Sequence, residues 1–216
     1  MADNAVQEYD VVIVGSGSAA FATALGAADS GLSALIIEST EKWGGSTAMS
    51  GGGMWLPNNP LMQRDGAGDS REEAIEYMAA TIGHDYAATS PARQEAFVDG
   101  VADFVTTAEK HGMTFDRAKD YPDYYPELPG GKVGRAIEVA PVNGRKLGEW
   151  FASLRLLMPV AIKTDDVWLL ARSWSTPAGF VRGAEVVFRL LGKAVTGQKS
   201  VGIGAGLMTS FGIAVL

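Results

Sequence analysis

Two apolar runs near the N-terminus flank a segment of small residues. YDVVIV, residues 9–14, is a continuous run rich in valine and isoleucine, and SALIIE, residues 33–38, is a second one. Uninterrupted runs of this kind are typical of strands that are buried on both faces of a parallel sheet. The residues between them predict a helix that stops at Gly31. Strand, glycine turn, helix and strand in this order predict a βαβ unit.

Two segments in the middle of the chain carry the signals of amphipathic helices. In residues 69–83, Ser70 and Glu73 form a capping-box pattern and a glycine closes the segment. Residues 90–112 begin with Ser90, which suits an N-cap, followed by a proline that suits the first turn. The apolar face of this second helix is predicted to carry Phe97, Val101, Phe104, Val105 and Ala108.

Three later segments also predict helices, on weaker patterns. Residues 147–160 predict a helix up to Pro159, and residues 176–197 predict one that is capped by Thr176. Residues 204–216 are apolar and predict a buried helix.

Composition indicates an ordinary globular protein, with 47% hydrophobic and 20% charged residues. The net charge of −7 disfavours nucleic acid as a partner, because phosphate binding needs clustered Lys and Arg.

The chain has no cysteine, which excludes disulfides, iron–sulfur clusters and thiol nucleophiles in it and fits a reducing compartment. The acidic N-terminus lacks the blocks of a signal peptide, so we expect a cytoplasmic protein.

Neither a membrane span nor a metal site is expected. The uncharged segment of residues 201–216 is shorter than the roughly 20 residues that a spanning helix needs. The only histidines, His84 and His111, have no neighbours at metal-ligand spacing.

The turn after the first predicted strand has the pattern of a nucleotide-binding loop. Gly15 suits the tight turn, Gly17 lets a pyrophosphate approach the backbone, and Ala20 lets the helix pack on the strands. The free N–H groups at the helix start attract phosphate, and Glu38 at the end of the second strand suits a ribose hydroxyl. The predicted contacts in this region are Gly15, Ser16, Gly17, Ser18, Ala19, Ala20, Glu38 and Ser39.

A second glycine cluster, GGSTAMSGGG, follows as residues 44–53 and is called the glycine loop below. Hydroxyl groups between glycines can bond phosphate or the edge of a ring, and glycines let the backbone approach a flat ligand. We predict cofactor contacts there from Gly45, Ser46, Thr47, Ser50, Gly51, Gly52 and Gly53. The alternative is a flexible linker, which the following tryptophan and proline disfavour.

These motifs resemble the 3-ketosteroid Δ1-dehydrogenases, members of the fumarate reductase and succinate dehydrogenase flavoprotein group. The similar segments are YDVVIVGSGSAA, LIIEST, WGGSTAMSGGGMWLPNN, DYYPELPGG and GRAIE. The first segments are shared by the whole flavoprotein group, and the loop version SGGGMWLPNN with PDYYP favours the steroid branch. Ser39 departs from the pattern, since the family usually has lysine there.

The resemblance implies a noncovalent FAD and the removal of hydrogens from C1 and C2 of a 3-ketosteroid, with reoxidation by an external electron acceptor. In the family, the first tyrosine of the DYY element assists the base, and this position corresponds to Tyr124. A phenol suits an apolar pocket better than a carboxylate, which is costly to bury. Its ordinary pKa near 10 requires help from a neighbouring group, and the sequence does not show which.

Tyr124 lies in YPDYYPELPGG, residues 121–131, called the tyrosine loop below. Without the resemblance, the residues favour the interpretation that Tyr124 packs in a proline-ordered loop and that its hydroxyl is in water. Tyr121 and Tyr125 are predicted to be wall or surface residues. The glycines of this region and Arg135 are predicted to order the loop rather than to bind substrate.

We therefore predict an α/β, Rossmann-like FAD-binding domain with a parallel sheet that is incomplete. The βαβ core covers about residues 9–53, a helical insert with the tyrosine loop about 70–150, and helices about 177–216. The resemblance implies a longer protein whose substrate domain and main catalytic base are not in this chain, so the activity of the chain itself is in question. Alternative hypotheses are a fumarate reductase-like flavoprotein acting on another enoate, a truncated product without function and, more remotely, a small NAD-binding domain.

Overall fold

The computed structural model describes residues 7–156 and 161–216. Its first elements are strand β1 (Val11–Val14), helix α1 (Ser18–Asp29) and strand β2 (Ala34–Ile37). The strands pair in parallel, with Val11 opposite Ala34 and Val14 opposite Ile37. The predicted βαβ unit is confirmed.

The stop signal of α1 is also confirmed. Gly31 has a positive φ of 73°, and the amide of Leu32 donates to the carbonyl of Ala27 at 2.9 Å. This is the Schellman arrangement that glycine favours at helix ends.

The prediction that β1 is buried on both faces is wrong for the described residues. Ile13 is buried in one cluster with Ala20 and Ala24 of α1, whereas Val12 and Val14 are exposed, Val14 by 82%. Side chains alternate along a strand, so these valines point to the face opposite α1. The uninterrupted apolar run therefore predicted the strand correctly. It did not predict that only the face toward α1 is covered by the described residues.

Three helices follow the glycine loop: α2 (Pro60–Arg64), α3 (Arg71–Ile82) and α4 (Pro91–Lys110). The Ser70 hydroxyl accepts a hydrogen bond from the amide of Glu73 at 3.1 Å, which confirms half of the capping box. The Glu73 carboxylate does not return to Ser70 and instead pairs with Lys132 at 2.9 Å. Ser90 occupies the N-cap of α4 without a side-chain capping bond, so the predicted hydroxyl cap is wrong there.

Five short strands form two further sheets that the sequence analysis did not predict. Strands β3 (Met54–Trp55), β4 (Phe115–Arg117) and β5 (Ala136–Val139) form an antiparallel sheet in the order β3-β5-β4. Strands β6 (Val142–Asn143) and β7 (Ser200–Val201) form an antiparallel pair. Strands of two to four residues carry too little periodicity to be seen in the sequence.

The predicted helix over residues 147–160 is wrong as far as the structure describes it. Residues Gly144–Ser153 form 3₁₀ turns that are interrupted at Gly148, whose φ of 57° is not helical. Residues 157–160 lie outside the described part.

The later helices are α5 (Thr164–Leu170), α6 (Pro177–Val195) and α7 (Ile203–Val215). The Thr176 hydroxyl accepts from the amide of Gly179 at 3.1 Å, so the predicted cap of α6 is confirmed. None of the helices in the described ranges has the length and apolarity needed to cross a bilayer.

Helix α7 occupies the centre of the core and supports the glycine loop. Residues 204–212 of α7 are all buried, and Phe211 packs beside Phe21 of α1. At its start, the amide of Gly204 donates to the carbonyl of Ser50 at 3.0 Å. The backbone of Gly52 packs so closely on Ile203 that a Cβ there would overlap it. The loop is therefore held by α7 and is not a flexible linker.

Candidate functional site

The turn after β1 has the geometry predicted for a phosphate-binding loop. Gly15 has a φ of 90° and its amide donates to the carbonyl of Ile37 at 2.8 Å, which closes the tight turn. Gly17 is the N-cap of α1 and offers no side-chain acceptor to the first-turn amides. Those amides and the helix dipole favour an anion at this position. Ala20 is buried against the strands, as predicted.

Ser16 joins this turn to Glu38 at the end of β2. Its buried hydroxyl donates to Glu38 Oε2 at 2.5 Å and accepts from the amide of Gly44 at 3.0 Å. The other carboxylate oxygen accepts from the Thr40 amide at 3.0 Å and from the Ser39 hydroxyl at 3.3 Å. The Ser16 hydrogen bond, followed by that from the Thr40 amide, lowers the pKa of Glu38 to about 2. A fixed, ionised carboxylate here can accept hydrogen bonds from ribose hydroxyls.

The glycine loop folds back onto the first turn of α1. The Thr47 hydroxyl accepts from the Ser18 amide at 3.2 Å and donates to the Ser18 hydroxyl at 3.2 Å. Gly45 lies over Gly17, where a Cβ on Gly45 would be 3.4 Å from the Gly17 Cα. The predicted contacts of both loops thus converge on one surface, and the side chains of Ala19 and Ser46 lie at its exposed rim.

A cavity of about 820 Å³ adjoins the glycine loop. Its lining includes residues 50–53 of the glycine loop and residues 121–125 of the tyrosine loop. The volume falls within the range of small-molecule sites. The lining is mainly apolar and also includes Trp55, Met78, Ile137, Ile162, Val167 and Ile203.

A buried ion cluster holds the tyrosine loop against this cavity. The Asp123 carboxylate accepts from Arg135 Nη1 at 2.9 Å, from Trp55 Nε1 at 2.7 Å and from the Lys132 amide at 2.9 Å. Arg135 is fully buried and also forms two hydrogen bonds with Asp69, at 2.8 and 2.9 Å. Burial alone raises the pKa of Asp69, but the hydrogen bonds, those from Arg135 foremost, outweigh it and the pKa is lowered. Arg135 orders the loop, as predicted.

The three tyrosines of this loop all line the cavity. Tyr124 is 87% exposed and lies at the mouth of the cavity. The described residues therefore do not bury its phenol in the apolar environment that the sequence analysis predicted. Tyr121 is partly buried, and its pKa is raised by burial, then by the charge of Tyr124 and by a side-chain hydrogen bond with Tyr124. The assisting role of Tyr124 stays a prediction.

Several residues of the cavity were missed by the sequence analysis. Trp55 and Tyr77 lie under the Arg135 guanidinium, whose central carbon is 5.8 and 5.6 Å from their ring centroids. Glu138 is buried in the wall and accepts from the amide and hydroxyl of Thr164 at 2.9 Å. Glu138 belongs to the GRAIE segment. An acidic residue next to apolar residues in this segment is the sequence signal that could have identified it.

The arrangement fits an extended dinucleotide with an aromatic ring at one end. Glu38 suits the ribose, the start of α1 suits the pyrophosphate, and the glycine loop leads from there into the cavity. A Cβ placed on Gly51 or Gly53 would meet no atom within 4 Å, so the loop leaves open space for a flat ring.

Comparisons with known proteins agree with this geometry. The chain is 38% identical over 210 residues to the 3-oxosteroid 1-dehydrogenase of Mycobacterium tuberculosis (strain ATCC 25618 / H37Rv), covering 94% of this chain and 37% of the relative. It is 38% identical to the 4-oxocyclohex-2-ene-1-carboxylate 5-dehydrogenase of Sinomonas cyclohexanicum, over 69% of this chain and 24% of the relative.

The crystal structure of 3-ketosteroid delta1-dehydrogenase from Sterolibacterium denitrificans, in complex with 1,4-androstadiene-3,17-dione, matches with a TM-score of 0.85. The identity is 28%, and the match covers 96% of this chain and 38% of that one. The chain thus spans less than two fifths of the length of these relatives. The resemblance to steroid dehydrogenases and the expected FAD-binding fold are confirmed.

The family model for an FAD binding domain matches residues 10–201, which include the turn after β1, Glu38, the glycine loop and the tyrosine loop. This chain belongs to the FAD binding domain family.

Proposed function

We propose that this chain binds FAD noncovalently and serves the Δ1-dehydrogenation of a 3-ketosteroid in steroid catabolism. The cavity carries the proposal, because it joins a loop suited to a flavin ring with a loop that presents phenols. The relative from M. tuberculosis is named a 3-oxosteroid 1-dehydrogenase, and the matched crystal structure holds a steroid dione. We place the chain in the N-terminal part of the FAD domain of a cytoplasmic enzyme that passes its electrons to an external acceptor.

The cofactor would be held by three groups of residues. Glu38 with Ser39 faces the ribose, the turn of residues 15–20 faces the pyrophosphate, and residues 45–47 and 50–53 face the flavin side. Residues 43–53 contain no histidine, which supports noncovalent attachment. FAD, when bound, supplies the acceptor for a hydride from C1 of the steroid.

The chain's own residues would shape the substrate side. The apolar wall suits a steroid nucleus, since burying such a surface is favourable. Tyr124 would face ring A and assist the removal of the proton from C2. The clamp of Asp123 and Arg135 fixes the loop that carries this phenol.

The lining of the cavity favours a neutral ketone over a carboxylate substrate. Its described lining residues include no Lys or Arg, and the acids Asp123 and Glu138 belong to it. A carboxylate ligand normally needs a cation, most often arginine. This argues against a fumarate-like enoate and against a 4-oxocyclohexenecarboxylate, the substrate class in the name of the Sinomonas relative.

Anaerobic titration of the FAD-loaded chain tests the proposal. A saturated-C1, 4-ene-3-ketosteroid is expected to bleach the flavin absorbance, whereas 4-oxocyclohex-2-ene-1-carboxylate is expected to leave it unchanged. Bleaching by the carboxylate alone, or reoxidation of chemically reduced flavin by fumarate but not by a 1,4-diene-3-ketosteroid, would contradict the steroid assignment.

A further inference from the structure

Helix α5 and the residues just before it supply part of the cavity lining, namely Ile162, Thr164 and Val167. The helix packs mainly on α6, and Arg189 of α6 donates to the Asp166 carboxylate of α5 at 2.7 Å. Helix α6 carries several apolar side chains that are exposed to solvent. Since much of α6 faces solvent, the position of α5 at the cavity depends on how α5 is attached to the sheet of β3, β5 and β4.

Glu138 of β5 links this sheet to the first residue of α5. Its two carboxylate oxygens both accept from the Thr164 amide at 2.9 Å, and Oε2 also accepts from the Thr164 hydroxyl at 2.9 Å. Glu138 is buried, and its strand neighbours Ile137 and Val139 belong to the hydrophobic core. The carboxylate therefore projects from a rigid strand, and its hydrogen bonds fix the start of α5.

Two other contacts hold the segment that leads into α5. Lys163 forms an ion pair with Asp116 of β4 at 2.8 Å, in which the side chains are 27% and 39% exposed. Solvent screens such a pair, so it contributes little. The backbone at Ile162 packs on Gly202, where a Cβ would overlap the Ile162 carbonyl. Glu138 makes its contact with the helix itself, and a buried hydrogen bond to a charged group is stronger than a screened surface pair.

We propose that Glu138 is the positioning residue for the α5 side of the cavity, holding Thr164 and thereby placing Val167 against the steroid nucleus; this inference rests on the proposed function. The carboxylate already accepts hydrogen bonds from Thr164, so its contribution is the position of the wall and not a step of the reaction. Loss of this contact should weaken steroid binding. FAD binding should change little, because Glu38 and residues 15–20 lie on other elements.

The first test is hydrogen–deuterium exchange of the apo chain, measured by mass spectrometry in peptides that cover residues 161–170. Glu138→Ala is expected to speed exchange in these peptides about tenfold or more, because exchange follows local opening. Glu138→Gln keeps an oxygen that can accept from the Thr164 amide, so it should stay within about threefold of wild type. Asp116→Asn is the matched control, since it weakens the exposed link of the same segment, and should stay within about twofold.

Peptides from α1 should exchange as in wild type in all of these variants. Exchange at α5 that is unchanged in Glu138→Ala, or that rises equally in α1 and α5, overturns the positioning role. If Glu138→Ala does not fold, Thr164→Val is measured in its place, because it removes the hydroxyl donor from the other side of the contact. It should speed α5 exchange about threefold or more, and exchange equal to that of Asp116→Asn overturns the role.

The second test measures binding of a 1,4-diene-3-ketosteroid to the FAD-loaded variants through the change in flavin absorbance. Glu138→Ala is expected to raise the dissociation constant for steroid about tenfold or more and that for FAD by less than about twofold. Glu138→Gln should restore steroid binding to within about threefold of wild type. A Gln variant as weak as the Ala variant would show that the charge is needed and not the position, which overturns the inference.

The two tests separate this inference from the proposed function. If wild type binds FAD but no steroid, the proposed function fails, and the exchange measurement still decides whether Glu138 holds α5.

Discussion

The Ser16 hydroxyl lies 2.5 Å from Glu38 Oε2, although 22 positions separate the two residues in the chain. The same hydroxyl accepts from the amide of Gly44, so one buried serine joins the turn after β1, the end of β2 and the start of the glycine loop. These are the segments that would carry the pyrophosphate and ribose of FAD. The geometry of the cofactor site therefore depends on Ser16 as much as on the glycines.

Replacing Ser16 by alanine should weaken FAD binding. The change removes the donor that orients Glu38 and leaves the Gly44 amide without its acceptor, so we expect the dissociation constant to rise about tenfold, equivalent to about 1.4 kcal/mol. Fluorescence titration with FAD measures it. Ser30→Ala, which alters an exposed serine at the end of α1, is the matched control and should bind as wild type does. Equal affinity of Ser16→Ala and Ser30→Ala would show that this contact is irrelevant to the cofactor.

The pH dependence of stability should report the same contact. The folded-state pKa of Glu38 is about 2, below its ordinary value of 4.5. A lowered carboxyl pKa stabilises the fold above the unfolded value and loses this effect as the pH falls toward the folded value. We therefore expect wild type to exceed Glu38→Gln in urea midpoint at pH 7, with the gap shrinking from about pH 4.5 downward. A gap that stays constant down to pH 3 would contradict this.

The buried cluster of Arg135 should be a principal support of the tyrosine loop. Arg135→Met leaves the carboxylates of Asp69 and Asp123 buried without their cation, and we expect a loss of about 3–5 kcal/mol in unfolding free energy. Arg64→Met is the control, because it breaks an ion pair with Glu109 of similar length, 2.9 Å, in which the side chains are 56% and 33% exposed. That change should cost less than about 1 kcal/mol. Similar losses in both variants, measured by denaturant unfolding, would refute the assigned role.

Two neighbouring glycines of the glycine loop should respond differently to alanine. Gly52 has a φ of 73°, and a Cβ there would overlap the Ile203 backbone, so Gly52→Ala should destabilise the apo chain by about 1–3 kcal/mol or more. A Cβ on Gly51 would meet open space, so Gly51→Ala should leave the melting temperature of the apo chain unchanged. Equal melting temperatures for the two variants would mean that α7 does not hold the loop as described.

Local patterns were sufficient to predict the tight turn after β1 and the ends of two helices. The tight turn at Gly15, the end of α1 at Gly31 and the cap of α6 at Thr176 depend on residues within a few positions of one another. Such signals are contained in the sequence itself, and the structure confirms them. The hydrogen bond from the Gly15 amide to the Ile37 carbonyl follows from the order strand, helix, strand, which places the ends of β1 and β2 side by side.

Contacts between distant segments could not be predicted in the same way. Arg135 and Asp69 are 66 positions apart and both lie outside the helices and strands, so no periodicity reveals their contact. Gly148 adopts a positive φ that breaks the predicted helix over 147–160, although its sequence neighbours favour a helix.

The most direct test of the cofactor site is the visible absorption spectrum of the purified chain, washed free of loose cofactor and then given FAD. The geometry of Ser16, Glu38 and the glycine loop predicts a flavin band that stays with the protein through gel filtration and is weakened in Ser16→Ala. A colourless chain that takes up no added FAD would contradict the assignment.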